Sequence, residues 1–125
     1  KYSERILLPG AVSNVKEKIR RAKIFVLSSN TEGMPNALME ALALGIPCIS
    51  TDCPCGGPKM LMDGKENGVL VPVGDSAKMA EAMKTILQDE ELWNRYSKNA
   101  YKITEKLHPE KVNEKWEKFL YSVMK

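Results

Sequence analysis

The chain has 125 residues, 43% of them hydrophobic and 28% charged, the profile of a single soluble globular domain with apolar mass for one core and no room for two. Nineteen Lys and Arg against sixteen Asp and Glu leave a net charge of +3 spread along the chain without a basic block, so nucleic acid is not an expected partner. No apolar stretch nears the roughly 18 to 20 residues that cross a bilayer, no leader-like pattern opens the chain, and three cysteines are an odd number, so a reduced, cytoplasmic setting is expected.

In chain order, Ile6, Leu7 and Leu8, stopped by Pro9 and Gly10, read as a short buried strand. Val12, Val15, Ile19 and Ala22 recur at three and four residues, predicting an amphipathic helix over 14–23 with a basic outer face. Four consecutive large apolar residues, 24–27, predict a strand that is covered on both faces, as in a parallel sheet. After Ser28 to Thr31, the Ala-, Leu-, Met- and Glu-rich run from Ala37 predicts a buried helix, with Pro35 in its first turn and Gly45 as the left-handed residue that ends it.

Residues 46–50 predict the next strand, with Pro47 near its start, and the Cys-, Pro- and Gly-dense stretch 51–58 an irregular loop. One helical turn is expected at 59–62, turns at Asp63-Gly64 and Asn67-Gly68, and a last strand at 69–71. Asp75 or Ser76 is expected to cap a helix carrying Met79, Ala80, Met83, Ile86 and Leu87 on one face. A second helix carries Leu92, Trp93, Tyr96, Ala100 and Ile103, and a third, from Pro109, carries Val112, Trp116, Phe119, Leu120 and Val123. Strands alternating with helices define an α/β class: a Rossmann-like parallel sheet with helices on both faces and a helical C-terminal third. About four strands are expected where doubly wound sheets commonly have six, so the chain reads as the second half of a nucleotide-binding domain from a longer protein.

In an open parallel sheet, ligands bind beyond the carboxyl ends of the strands, which is where 28–40 falls. The first helical turn there offers unpaired N–H groups and the positive end of the helix dipole, a setting for a diphosphate. Gly33 permits close approach, and Asn36, Ala37 and Leu38 would donate, whereas Pro35 has no N–H. Glu32 and Glu40, eight positions apart, frame the turn; each carboxylate can accept neighbouring hydroxyls, one from a sugar and one from a ribose. The plainer alternatives stay open on these residues alone. Glu40 could be salt-bridged at the end of a buried helix face, and Glu32 could be an ordinary solvated loop carboxylate.

The run from Glu32 through Gly33, Met34, Pro35, Asn36, Ala37, Leu38, Met39, Glu40 and Ala41 follows Phe25 to Ser29 and precedes Gly45 to Pro58. In that context it resembles glycosyltransferase family 4, the group 1 nucleotide-sugar transferases, and the similarity is strongest over 28–74, where Asn67 to Pro72 and the Asp75 helix fall in family order. The resemblance implies a GT-B architecture, with residues 1–125 forming part of the C-terminal, donor-binding domain of a retaining enzyme. By that resemblance, Glu32 is the catalytic candidate, near the donor sugar hydroxyls and the anomeric carbon. Gly33 and Met34 offer backbone groups to the sugar, Asn36, Ala37 and Leu38 cap the diphosphate, and Glu40 holds the ribose hydroxyls.

The resemblance further implies no metal and no cofactor, since backbone dipoles and basic side chains replace a cation at the leaving diphosphate. It implies a nucleotide-sugar donor, taken here as a UDP-sugar. The acceptor would be a saccharide or lipid-linked molecule bound through an N-terminal domain, in surface-polysaccharide or related assembly at the cytoplasmic face of the membrane. The alternative function is a non-catalytic nucleotide-binding or interaction module of the same fold.

The chain also departs from the family pattern. The Arg and Lys that usually clamp the diphosphate have no counterpart before Ile6, and Lys59, Met60 and Leu61 stand where an acidic residue often follows Gly-Gly-Pro. By itself, the chain is therefore expected to transfer little or no sugar. Cys48, Cys53 and Cys55 lack a fourth ligand for zinc, and His108, before Pro109, reads as a cap or surface residue. Met39, Met79 and Met83 read as core filling. The Trp116 stripe would pack on the domain's own sheet or, if it reaches across to another domain, stay partly exposed in the isolated chain and favour self-association.

Overall fold

The computed structural model describes residues 3–62 and 66–124. A three-stranded parallel sheet forms its centre, in the order β1 (Phe25–Leu27), β2 (Cys48–Thr51), β3 (Gly68–Val71). In register, Phe25 lies opposite Cys48 and Leu27 opposite Ser50, while Cys48 also faces Gly68 and Thr51 faces Val71. Because side chains alternate across a strand, each strand supplies both faces. Cys48, Phe25, Leu27 and Leu70 join one core cluster; Ile49, Val26, Val69 and Val71 join the other.

Helices cover both faces, as expected of a parallel sheet. On the first lie α2 (Asn36–Ala43), α3 (Gly57–Leu61) and α6 (Ile103–Lys106), which contribute Leu38, Ala41, Leu42, Leu61 and Ile103 to the core. On the second, α4 (Ser76–Gln88) inserts Ala82 and Ile86. Between the two layers α5 (Glu90–Tyr101) reaches both, with Leu92, Trp93 and Tyr96 toward one cluster and Ala100 in the other. Trp93 Nε1 donates to the Lys23 carbonyl at 2.6 Å, and Ser97 Oγ to the Gly45 carbonyl at the same distance, tying α5 to the chain on either side of α2.

Several expectations are corrected. Residues 6–8 form no strand: a 3-10 turn at Ser3–Arg5 precedes them, and Ile6, Leu7 and Leu8 are exposed, with no strand beside them among the described residues. The described sheet therefore has three strands, not four. The first helix shrinks to α1 (Val15–Ile19), because the chain turns through Ala22, whose amide donates to the Ile19 carbonyl, to reach β1. The irregular loop ends earlier than its composition suggested: Thr51 closes β2, and Gly57 and Pro58 already belong to α3, Pro58 standing in the first turn where its lack of an N–H does no harm.

Gly68 opens β3 and is not part of a turn, while the Asp63-Gly64 turn lies outside the described residues. On α4 the inward stripe is shifted from the expected one, since Ala80 and Leu87 face solvent and Ala82 is buried. Ile103 belongs to the short α6, after a break at Lys102. Finally, α7 (Pro109–Val123) buries no residue, so its apolar stripe does not pack on this domain's sheet.

Candidate functional site at the carboxyl edge of the sheet

Parallel pairing puts the carboxyl ends of β1, β2 and β3 along one edge, and three loops meet there: 28–35, 52–56 and 72–75. Ser28 and Asp75 from these loops and Thr51 at the end of β2 line a small cavity of about 140 Å³. A wider cleft of about 690 Å³ beside it is lined by Asn30, Asp52, Lys59 and Val73. Lys59 Nζ lies 3.9 Å from Asp52 Oδ2 across this cleft, both side chains largely solvated.

The turn from β1 to α2 carries the predicted residues. Glu32 is half-buried and accepts a hydrogen bond from Ser29 Oγ at 2.6 Å on Oε1. Gly33 and Met34 follow on the surface, and buried Pro35, with extended backbone (φ −74°, ψ 108°), occupies the cap position of α2. The amides of Asn36 and Ala37 have no acceptor among the described residues, and both residues are exposed. Leu38 turns the other way: its side chain is fully buried and its amide donates to the Pro35 carbonyl at 3.1 Å, an acceptor shared with Met39 at 3.2 Å. Two of the three expected donors are therefore available at this helix start, and the helix's own packing leaves that end open.

The helix is not buried all round, as its composition had suggested. Leu38, Ala41 and Leu42 form its inward face, and Asn36, Ala37 and Glu40 share the opposite, exposed stripe. Glu40 is thus a solvated carboxylate with no need of a buried ion pair. It lines a cleft of about 520 Å³ between α1 and α2 together with Ser13, Val15 and Lys16. Gly45, with φ 70°, ends the helix in the left-handed conformation expected of it.

Sequence reasoning missed the frame behind Glu32. Thr51 Oγ1 donates to the Ser29 carbonyl across 22 residues of sequence, and Gly57 lies so close to Gly33 that a Cβ there would stand 1.6 Å from its carbonyl oxygen. Small and hydroxylated residues at strand ends were the available signal, but not which strands would meet. Cys48 is fully buried, and burial pushes its thiol pKa up; Cys53 is buried in the loop and Cys55 is exposed. Among the described residues, no three of His, Cys, Asp and Glu converge as a metal-binding group, and no helix is long and apolar enough to cross a membrane.

The sheet, its two helical layers and this carboxyl edge define a Rossmann-like unit of the kind found as the C-terminal domain of GT-B glycosyltransferases. The sequence model of the glycosyl transferases group 1 family matches residues 1–103, and the chain belongs to that family. Among curated relatives, it is 32% identical over 124 residues to N-acetyl-alpha-D-glucosaminyl L-malate synthase of Bacillus anthracis, a match that covers 98% of this chain and 32% of that protein. Among solved structures, the sucrose-phosphate synthase of Thermosynechococcus elongatus superposes with a TM-score of 0.69 at 27% identity, over 82% of this chain and 25% of that one. The C-terminal domain of a group 1 family glycosyl transferase from Francisella tularensis gives 0.68 at 26% identity, over 82% of this chain and 52% of that one. The chain spans about a third of the length of the first of these relatives.

Proposed function

We propose that residues 1–125 form the donor-binding part of a retaining glycosyltransferase that moves a sugar from a nucleoside-diphosphate sugar, a UDP-sugar in our reading, to a saccharide or lipid-linked acceptor. The observation that carries the reading is the open start of α2 at the carboxyl edge of the sheet. The free amides of Asn36 and Ala37 follow Glu32 on the loop and precede Glu40 on the exposed stripe of the same helix. Amides and the helix dipole favour a diphosphate at this point. The Leu38 amide, already bonded to the Pro35 carbonyl, is not one of the free donors.

In this reading Gly33 and Met34 present backbone groups to the sugar, Glu32 faces its hydroxyls and anomeric carbon, and the Glu40 carboxylate accepts from the ribose. Fixed backbone dipoles stabilise the leaving diphosphate in place of a metal ion. The acceptor is bound by a further domain, and the enzyme works in the cytoplasm, peripheral to the membrane where its acceptor is lipid-linked. The chain alone turns over little or no donor, and its exposed α7 stripe pairs it with a second copy.

The test is a panel of UDP-, GDP- and ADP-sugars titrated against the full-length protein and its variants. Glu32→Ala is expected to abolish transfer with a modest loss of stability. Glu40→Ala is expected to weaken donor binding by about tenfold, the worth of one charge-assisted hydrogen bond. Wild-type turnover by Glu32→Ala would overturn the assignment.

A further inference from the structure

We infer that Ser29, braced by Thr51 and Gly57, is a positioning residue for the Glu32 carboxylate; the inference rests on the donor-site reading of Glu32. Glu32 sits on a loop, where a glutamate has three rotatable side-chain bonds and many accessible rotamers. Catalysis at a sugar carbon demands one of them, because a misplacement of about 1 Å costs on the order of a hundredfold in rate. The structure supplies the restraint in three contacts. Ser29 Oγ donates to Glu32 Oε1 at 2.6 Å, which fixes one carboxylate oxygen and leaves the group's remaining lone pairs for a ligand hydroxyl.

Ser29 is itself anchored. Its carbonyl accepts from Thr51 Oγ1, and Thr51 is 3% exposed at the end of the central strand, in register with Val71. The hydroxyl that holds Glu32 is thus referred to the buried end of the central strand. On the far side of Glu32, Gly57 presses on the Gly33 peptide, with room for a hydrogen and none for a methyl. The turn is therefore held upstream and downstream by residues 51 and 57, the last residue of β2 and the first of α3. An incidental serine-to-glutamate bond three residues apart would need neither brace.

The experiment measures kcat and KM in the full-length protein, with whichever donor of the UDP-, GDP- and ADP-sugar panel the wild type turns over. Ser29→Ala is expected to lower kcat by roughly 10- to 100-fold with donor KM nearly unchanged. Ser29→Thr, which keeps the hydroxyl, restores most of the rate. Gly57→Ala is expected to lower kcat together with the melting temperature, and Thr51→Val to lower kcat where Thr51→Ser does not. Wild-type kcat in Ser29→Ala, or a Ser29→Thr protein as slow as Ser29→Ala, would overturn the positioning role while an inactive Glu32→Ala left the donor site standing. An active Glu32→Ala, or a wild type that turned over no donor of the panel, would bring down the donor-site reading and this inference with it.

Discussion

At the scale of single residues, what decides function here is which polar groups the fold satisfies and which it leaves for a ligand. Asp75 is of the first kind. Its Oδ1 accepts from the Lys78 amide at 2.9 Å, which caps α4, and its Oδ2 lies 3.4 Å from Lys78 Nζ. The backbone bond to Lys78, followed by the bond and charge of its side chain, holds the Asp75 carboxyl below the usual carboxylate range. A group whose folded pKa is depressed stabilises the fold above its unfolded value, near 3.9, and loses that contribution as pH falls through the folded value. Asparagine caps helices about as well but does not titrate. The stability difference between wild type and Asp75→Asn is therefore expected to be largest at neutral pH and to close below about pH 4. Urea unfolding of both proteins at pH 7 and pH 3 measures it, and a difference constant across that range would refute the linkage.

The two kinds of polar contact differ in how far they could be read from the sequence. The Asp75 cap spans three residues and lies within one window of the chain. The Thr51 to Ser29 bond spans 22 and depends on β1 and β2 being neighbours. Glu32 and Glu40 were legible as a pair, but not their environments: Glu32 half-buried on a serine, Glu40 on a solvated stripe.

At the scale of elements, the buried strands were legible and the lone apolar run was not, for one physical reason. Phe25 to Leu27 and Cys48 to Thr51 are followed by segments that fold back as covering helices, whereas Ile6 to Leu8 lead only to Pro9 and Gly10 and the short α1. A run of three apolar residues says that burial would be favourable, not that a partner exists. Helix faces raise the same issue at finer grain. In α4 both Ile86 and Leu87 fit an apolar stripe, and only packing decides that Ile86 is 1% exposed and Leu87 54%. Ile86→Ala should therefore cost about 2 to 5 kcal/mol through lost burial and a cavity beside Ile49 and Val71. Leu87→Ala should stay within about 0.5 kcal/mol of wild type. Chemical denaturation of the two variants distinguishes them, and equal losses would mean that the α4 register is wrong.

At the scale of the whole molecule, the sheet and its two helical layers account for the core, and α7 stands apart from it. Val112 is half-buried, but Trp116, Phe119, Leu120 and Val123 are half or more exposed, with Trp116 and Phe119 meeting edge to face at 6.0 Å between ring centres. The sequence announced this helix and its apolar stripe correctly, since both are local periodicities. What covers the stripe is a property of another surface, which no periodicity encodes. A contiguous aromatic and aliphatic face of this kind is unfavourable in water, and pairing it with its own copy removes apolar area on both chains at once. The 1–125 chain is thus expected to move from monomer toward dimer as its concentration rises in sedimentation velocity. Trp116→Glu with Phe119→Glu should hold it monomeric at an unchanged far-ultraviolet circular dichroism, because α7 buries no residue in the domain core. A wild-type chain that stays monomeric at high concentration, or a double variant that associates as readily as wild type, would show that the stripe is not what joins the copies.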